Sequence, residues 1–339
     1  MGWRGTIRSM KAAGRRIERE AVRRQRELER AHRQHAKLLE REQAAYEVDV
    51  FQNHVQILRS IHTDCNPVVD WHTIRDAAPP AEPAWRGERE AAAQRALADY
   101  EPGWMDRLFR RAEARRAALQ DAVTVAKQQD DAAYASDLAD YRRQHEEWVE
   151  SRRLANGVVS GDPQAYLEVI EEMAPFAEIT GLGSSVHFRV HDGATVAAVL
   201  QVNSAEVIPS EIKSLLQSGK LSVKKMPQGQ FFELYQDYVC GCVLRVSREL
   251  FALLPVQTVI VTAEGEVLDP STGHLEVRPI LSAAIPRRTL ERLNFDQLDP
   301  SDSLRNFVHR MSFKKTQGFV PVKRILPSEL QLSAGQSAY

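Results

Sequence analysis

FFELYQDYVCGCVLRVSRELFALL, residues 231–254, is the stretch on which the fold of this 339-residue chain turns. Phe231, Phe232, Leu234, Tyr235, Tyr238, Val239, Cys240, Cys242, Val243, Leu244, Val246, Leu250, Phe251, Leu253 and Leu254 occupy most of a helical circumference. A helix that is apolar on nearly every side belongs at the centre of a domain, covered all round. Cys240 and Cys242 point in different directions on such a helix and cannot together clasp a metal, so they read as core.

The flanking segments read as a sheet around this helix. Val256 to Ala263 is β-branched and apolar, an interior strand, and Leu275 to Ile285 is a second strand in which Pro279 implies an edge or a bulge. Upstream, Val186, Phe188 and Val190 alternate with His187, Arg189 and His191, Asp192-Gly193 supplies a tight turn, and Val196, Ala198, Leu200 and Val202 alternate again, which together predict a β-hairpin. A short helix is expected over 210–217 and a short strand at Leu221 to Val223. Asp162 followed by Pro163 reads as an N-cap with proline in the first turn, opening a helix to about Met173. Pro286 and Asp299-Pro300 open two more helices, and Phe313 to Val322 returns as a last strand. The sum is an α+β domain over 157–327, with a mixed or antiparallel sheet around the buried helix and a flexible tail over 328–339.

Residues 1–156 read differently, as a long antiparallel helical coiled-coil arm, so the fold class is multidomain, α and α+β. From Ile7 to Ile61 there is no proline, and Arg, Glu, Gln, Ala and Leu dominate. Ala44, Val48, Phe51, Val55 and Leu58 follow the four-three spacing of a helical seam. A proline-rich connector over 67–103, with a short helix from Arg86 to Tyr100, leads to a second long helix from Trp104 to Leu154. Its seam is Leu119, Ala122, Ala126 and Ala133, then Tyr134, Leu138, Tyr141, His145 and Trp148. The net charge of -1 conceals a polarity: residues 1–41 hold 13 Lys/Arg against 5 Asp/Glu, and the rest of the chain is acidic. In a folded-back pair, basic residues 8–37 would lie beside the acidic stretch 128–151, and the opposed charges would set orientation more than stability.

Hydrophobic residues at 43% and charged residues at 27% are ordinary globular values and exclude wholesale disorder. Three cysteines make no disulfide framework, which points to a reducing compartment and a cytoplasmic protein. No apolar run approaches the length of a membrane span, so no membrane partner is expected.

Dedicated chemical motifs are sparse. Gly181-Leu182-Gly183 precedes a strand instead of linking a strand to a helix, so it reads as a turn and not a dinucleotide loop. There is no phosphate-loop motif, His-Glu-x-x-His or paired Cys-x-x-Cys. His62, Cys65 and His72 lack a fourth ligand, and no metal site is assigned. His187, Arg189 and His191 share the polar face of the hairpin and could line a binding surface. One constellation has catalytic potential: Asp269 and, after a turn, Glu276-Val277-Arg278 on a strand, downstream of Glu249 in the buried helix. This order resembles the restriction-endonuclease-like arrangement, with Arg278 where that pattern has Lys. The resemblance implies a Mg²⁺-dependent nuclease in which the carboxylates hold the ion and activate water. In the N-terminal helix, Arg15, Arg16, Arg19, Arg23, Arg24 and Arg26 are candidates for nucleic-acid contact through phosphates. The primary expectation is a binding or assembly protein, a subunit or adaptor whose arm meets a protein partner or a second copy; nuclease and nucleic-acid binder are the alternatives.

Overall fold

The computed structural model describes residues 40–103, 111–173, 175–176, 185–202, 207–217, 219–269 and 271–330. In chain order these form α1 (Glu40–Ser60), α2 (Trp71–Asp76), α3 (Glu88–Ala98), α4 (Ala112–Ser160), α5 (Pro163–Met173), β1 (Ser185–Asp192), β2 (Thr195–Gln201), β3 (Glu211–Leu215), β4 (Leu221–Lys225), α6 (Gln228–Leu253), β5 (Thr258–Leu268), β6 (Leu275–Pro286), α7 (Arg287–Leu290), α8 (Pro300–Ser303), β7 (Val308–Lys314) and β8 (Gly318–Val320). The chain divides into two compact units, one holding residues 73–153, the other holding the described residues of 40–72 and 154–330. No described helix is long and apolar enough to cross a membrane.

The second unit is α+β and is built on α6, which is buried along nearly its whole length from Leu234 onward. Each fully buried Val, Leu or Phe there contributes about 1.5–3 kcal/mol of transfer free energy. The helix stops at Leu254, whose extended backbone (φ -121, ψ 145) is the conformation forced on a residue preceding proline. Arg287 then satisfies the carbonyls left over at that end: Nε donates to Val256 O at 2.8 Å and Nη2 donates to Phe251 O at 3.0 Å and Leu254 O at 2.5 Å.

The sheet is mixed, with strand order β1-β2-β5-β6-β7-β8; β2 and β5 run parallel and every other neighbouring pair is antiparallel. Alternation along β5 sends Val259, Val261 and Ala263 to one face and Ile260 and Thr262 to the other. The first face meets α6; Gly265 has no side chain because Tyr235 Oη lies 2.9 Å from where a Cβ would stand. On the second face Ile260, Ala284 and Ile325 form a buried cluster joined by Ala197 and Leu330. Thr262 and Ser282 share a hydroxyl hydrogen bond of 2.9 Å there, and Ile325 N donates to Ser282 Oγ. The chain therefore stays on the sheet to Leu330, past the point where the tail was expected to begin at 328. Arg310 and Glu329 tie the same segment to β7.

Other expectations shift. Residues 211–215 form a strand, not a helix. β3 pairs antiparallel with β4 in a separate two-stranded sheet, closed by a turn at Gly219 with φ 79, and hairpin pairing overrides the expected helix. Pro279 sits at a bulge, where β5 and β6 shift register beside Ala263 and Glu264. The α1 seam is also used differently. Ala44, Val48 and Leu58 are buried within the α+β unit, where α1 packs on α6, β3 and β4, with Lys213 Nζ bound to Glu47 at 2.9 Å. Residues 8–37, expected to pair with 128–151, lie outside the described residues.

In the first unit the connector runs beside residues 129–148 of the 49-residue α4. Trp148 Nε1 donates to Ala77 O at 2.8 Å, Trp85 Nε1 donates to Asp131 Oδ1 at 3.3 Å, and Glu90 N donates to Asp130 Oδ2 at 2.9 Å. Asp130 caps the start of α3. Gly87 opens α3 at φ 59, where the Trp85 ring leaves no room for a side chain.

Candidate functional site

Two stretches of chain far apart in sequence meet at a cleft of about 510 Å³, within the size range of ligand-binding pockets. One wall is the last turns of α1, where Phe51, Val55 and Arg59 stand one above another at four-residue spacing beside a parallel row of Gln52, Gln56 and Ser60. His62 and Thr63 close one end, and Phe295, Asp296 and Leu298 form the opposite wall.

The floor is held rigidly. Arg248 of α6 stacks on the Phe295 ring at 4.0 Å, while its Nη1 donates to His62 O at 2.5 Å and Thr63 O at 2.7 Å. Thr63 turns the chain back by donating from both N and Oγ1 to Ser60 O. Gly241 allows this turn to lie on α6, since a Cβ there would stand 2.7 Å from Ile61 Cγ2. His62 is buried, and its Nδ1 has no hydrogen-bond partner. Burial and the Arg248 charge lower its pKa, so the ring is held neutral, although Asp299 and the carbonyls of Phe295 and Arg59 pull the other way.

Two carboxylates beside the cleft are driven apart. Burial, then the charge of Asp299, pushes Asp237 on α6 up to about 6, with Arg59 opposing. Burial alone would push Asp299 up as well. It stays below the ordinary range because Asp302 N donates to it at 2.9 Å and Ser301 Oγ at 2.8 Å, its N-cap role at α8. Asp237 and Asp299 feel each other's charge near the cleft that Arg59 and Leu298 line, one raised and the other lowered.

The nuclease constellation is placed otherwise. Glu249 is buried and bound by Arg245 Nε at 2.7 Å and by Asn66 Nδ2 at 2.8 Å; burial raises its pKa against the pull of Arg245. Asp269, Glu276 and Arg278 lie together at the exposed end of the β5–β6 hairpin. There Asp269 Oδ1 accepts from Ser271 N at 2.8 Å and Ser271 Oγ at 2.7 Å, and Arg278 Nε donates to Glu276 Oε2 at 2.8 Å. Glu249 lies four turns of α6, roughly 20 Å, beyond Tyr235, the residue that touches this hairpin at Gly265. The four therefore do not form one cleft. Among the described residues no group of three His, Cys, Asp or Glu is arranged to hold a metal ion.

His62, Cys65 and His72 likewise do not assemble. Burial and the neighbouring Glu249 raise the Cys65 thiol to about 11, which keeps it protonated and unreactive. His187, Arg189 and His191 are exposed on the face of β1 opposite Val186, Phe188 and Val190. Arg15, Arg16, Arg19, Arg23, Arg24 and Arg26, and Gly181 to Gly183, lie outside the described residues. No family model, curated protein or solved structure matches the chain.

The sequence reading missed Arg59, Phe295, Asp296, Leu298, Asp237 and Asp299 as a group. A signal was present in Gly241, a glycine inside an otherwise apolar helix, which marks close approach of another segment.

Proposed function

We propose that the chain is a binding and assembly protein, in which α4 presents a docking surface for a protein partner or a second copy and the α+β unit recognises a partner segment. The exposure of α4 supports this reading. Of residues 112–150, Ala126 alone is buried, although the helix is several times the length of an average globular helix. A rod so lightly covered spaces and presents more than it encloses. Val125 and Val149 are about half exposed on it. The test is photocrosslinking from positions 125 and 149 in native cells, with sedimentation velocity of the pure chain over a wide concentration range. Crosslinked species or concentration-dependent mass, reduced by Val125→Glu with Val149→Glu, are expected. A monomer that crosslinks to nothing from either position would overturn the reading.

The nuclease alternative keeps one supporting observation, the proximity of Asp269, Glu276 and Arg278 on one hairpin. It predicts Mg²⁺- or Mn²⁺-dependent cleavage of DNA or RNA that Asp269→Ala and Glu276→Ala abolish. Nucleic-acid binding by Arg15 to Arg26 predicts affinity falling steeply with salt.

A further inference from the structure

The α1 cleft has the chemistry of a peptide groove. We infer that it takes a short extended segment of a partner protein, carrying an apolar side chain followed two residues later by Asp or Glu. This rests on the reading that the α+β unit recognises a partner, and it names the chemistry recognised.

The spacing follows from the helix. Val55 and Arg59 are one turn apart, roughly 6 Å along α1. In an extended peptide, residues i and i+2 project to the same side and lie roughly 6–7 Å apart. An apolar side chain seated between Phe51, Val55, Phe295 and Leu298 thus places the residue two positions on at Arg59. Arg59 is exposed and makes no salt bridge among the described residues; its field reaches Asp237 without a direct contact. A carboxylate is the group that matches a planar guanidinium with open donors. The exposed carboxamides of Gln52 and Gln56 form a row on the same wall, each with a donor and an acceptor suited to the N–H and C=O groups of an extended backbone. Asp296 on the facing wall carries the opposite charge and disfavours acid beside itself. Arg248 stacks on Phe295 in the free chain, so that wall is in place without a ligand.

The experiment is selection of a random heptapeptide mRNA-display library on the immobilised full chain, followed by fluorescence anisotropy with the enriched peptides. Enrichment of an apolar residue with Asp or Glu two positions later is expected. Affinity should drop roughly tenfold or more in Arg59→Ala and in Val55→Asp, with Gln297→Ala, exposed and off the lining, unchanged. Circular dichroism confirms that each variant is folded. No enrichment, enrichment of basic peptides, or equal binding by Arg59→Ala would each overturn the inference. Displacement of the peptide by unlabelled chain would mark the cleft as a self-contact and overturn it too. The rod crosslinks from positions 125 and 149 are independent of all these outcomes, so a failed selection leaves the assembly reading standing.

Discussion

Two of the three acids on helix α6 stand in unlike circumstances, and the contrast separates a group that holds this protein together from one that lies beside open volume. Glu249 is 1% exposed, and Arg245 and Asn66 meet both its oxygens. Asp237, three turns away, is half-buried and has only distant compensation from Arg59, with Asp299 repelling it. The first is closed off from solvent and fixes residues 64–66 to the helix. The second lies beside a cleft and titrates near neutrality. Hydrogen bonds to both oxygens mark Glu249 as a structural group, whereas weak compensation beside open volume leaves Asp237 a candidate for function.

Breaking the compensated pair should have the largest effect. Glu249→Ala removes the 2.7 Å partner of buried Arg245, leaving it the 4.0 Å contact with the exposed Asp64, and should cost about 3–5 kcal/mol in urea denaturation. Arg245→Met with Glu249→Leu should recover most of that loss, since an apolar pair of similar volume needs no partner. Equal destabilisation by the single and double variants would show that the pair's hydrogen bonds to Asn66, and not its charge balance, anchor the segment. A smaller effect, about 1–3 kcal/mol, is expected of Gly241→Ala, because the new methyl group meets Ile61 Cγ2 and pushes the 61–63 turn off the helix. That variant should also weaken peptide capture at the cleft. Glu249 variants that remain folded should not.

The uncompensated acid gives a pH-dependent effect of opposite sign. With its folded pKa near 6, above the ordinary carboxylate value, Asp237 binds protons more readily in the folded state. Its contribution is therefore fully present at low pH and is lost as pH rises through about 6. Asp237→Asn should stabilise the protein at pH 7 by about 1 kcal/mol, discounted for partial exposure, and change little at pH 4. His62 works in the other direction. Its lowered pKa means that stability is present above the unfolded value of 6.5 and is lost as pH falls below it. A rise in melting temperature for Asp237→Asn at pH 4 as large as at pH 7 would show that the carboxylate is not the cause.

What could be read from the chain, and what could not, divides along the range of the interactions. Alternation in Val186 to Val202 with Asp192-Gly193, the apolar circumference of 231–254 and the Asp299-Pro300 cap are local signals, and the structure has each element where these residues place it. Glu211 to Leu215 is the exception among local elements: its partner, Leu221 to Lys225, lies just across the turn at 216–220, but Glu-Ile-Lys-Ser-Leu has no apolar alternation to announce the pairing. The α1 seam showed that Val48 and Leu58 would be covered but not by what, since a four-three stripe suits any helix-sized partner. The cleft was illegible from local pattern, as Phe51 and Phe295 lie more than 200 residues apart and line one cleft only in the folded chain.

The smallest effect belongs to the exposed acids that the sequence singled out. Asp269 is fully exposed and its oxygens serve the turn through Ser271, which holds its carboxyl below the usual range. Glu276 is matched by Arg278 on the same strand. Solvent screens both interactions, so Glu276→Gln should leave the urea midpoint unchanged and Asp269→Ala should loosen only the hairpin turn, visible as faster amide exchange at Gly273, whose N–H donates to Asp269 O. The comparison becomes sharper if a function is lost while stability holds. Loss of metal-dependent cleavage in Asp269→Ala, with an unchanged fold, would move the functional weight from the α1 cleft to this hairpin, because an exposed carboxylate that contributes nothing to folding then has only chemistry to explain its effect.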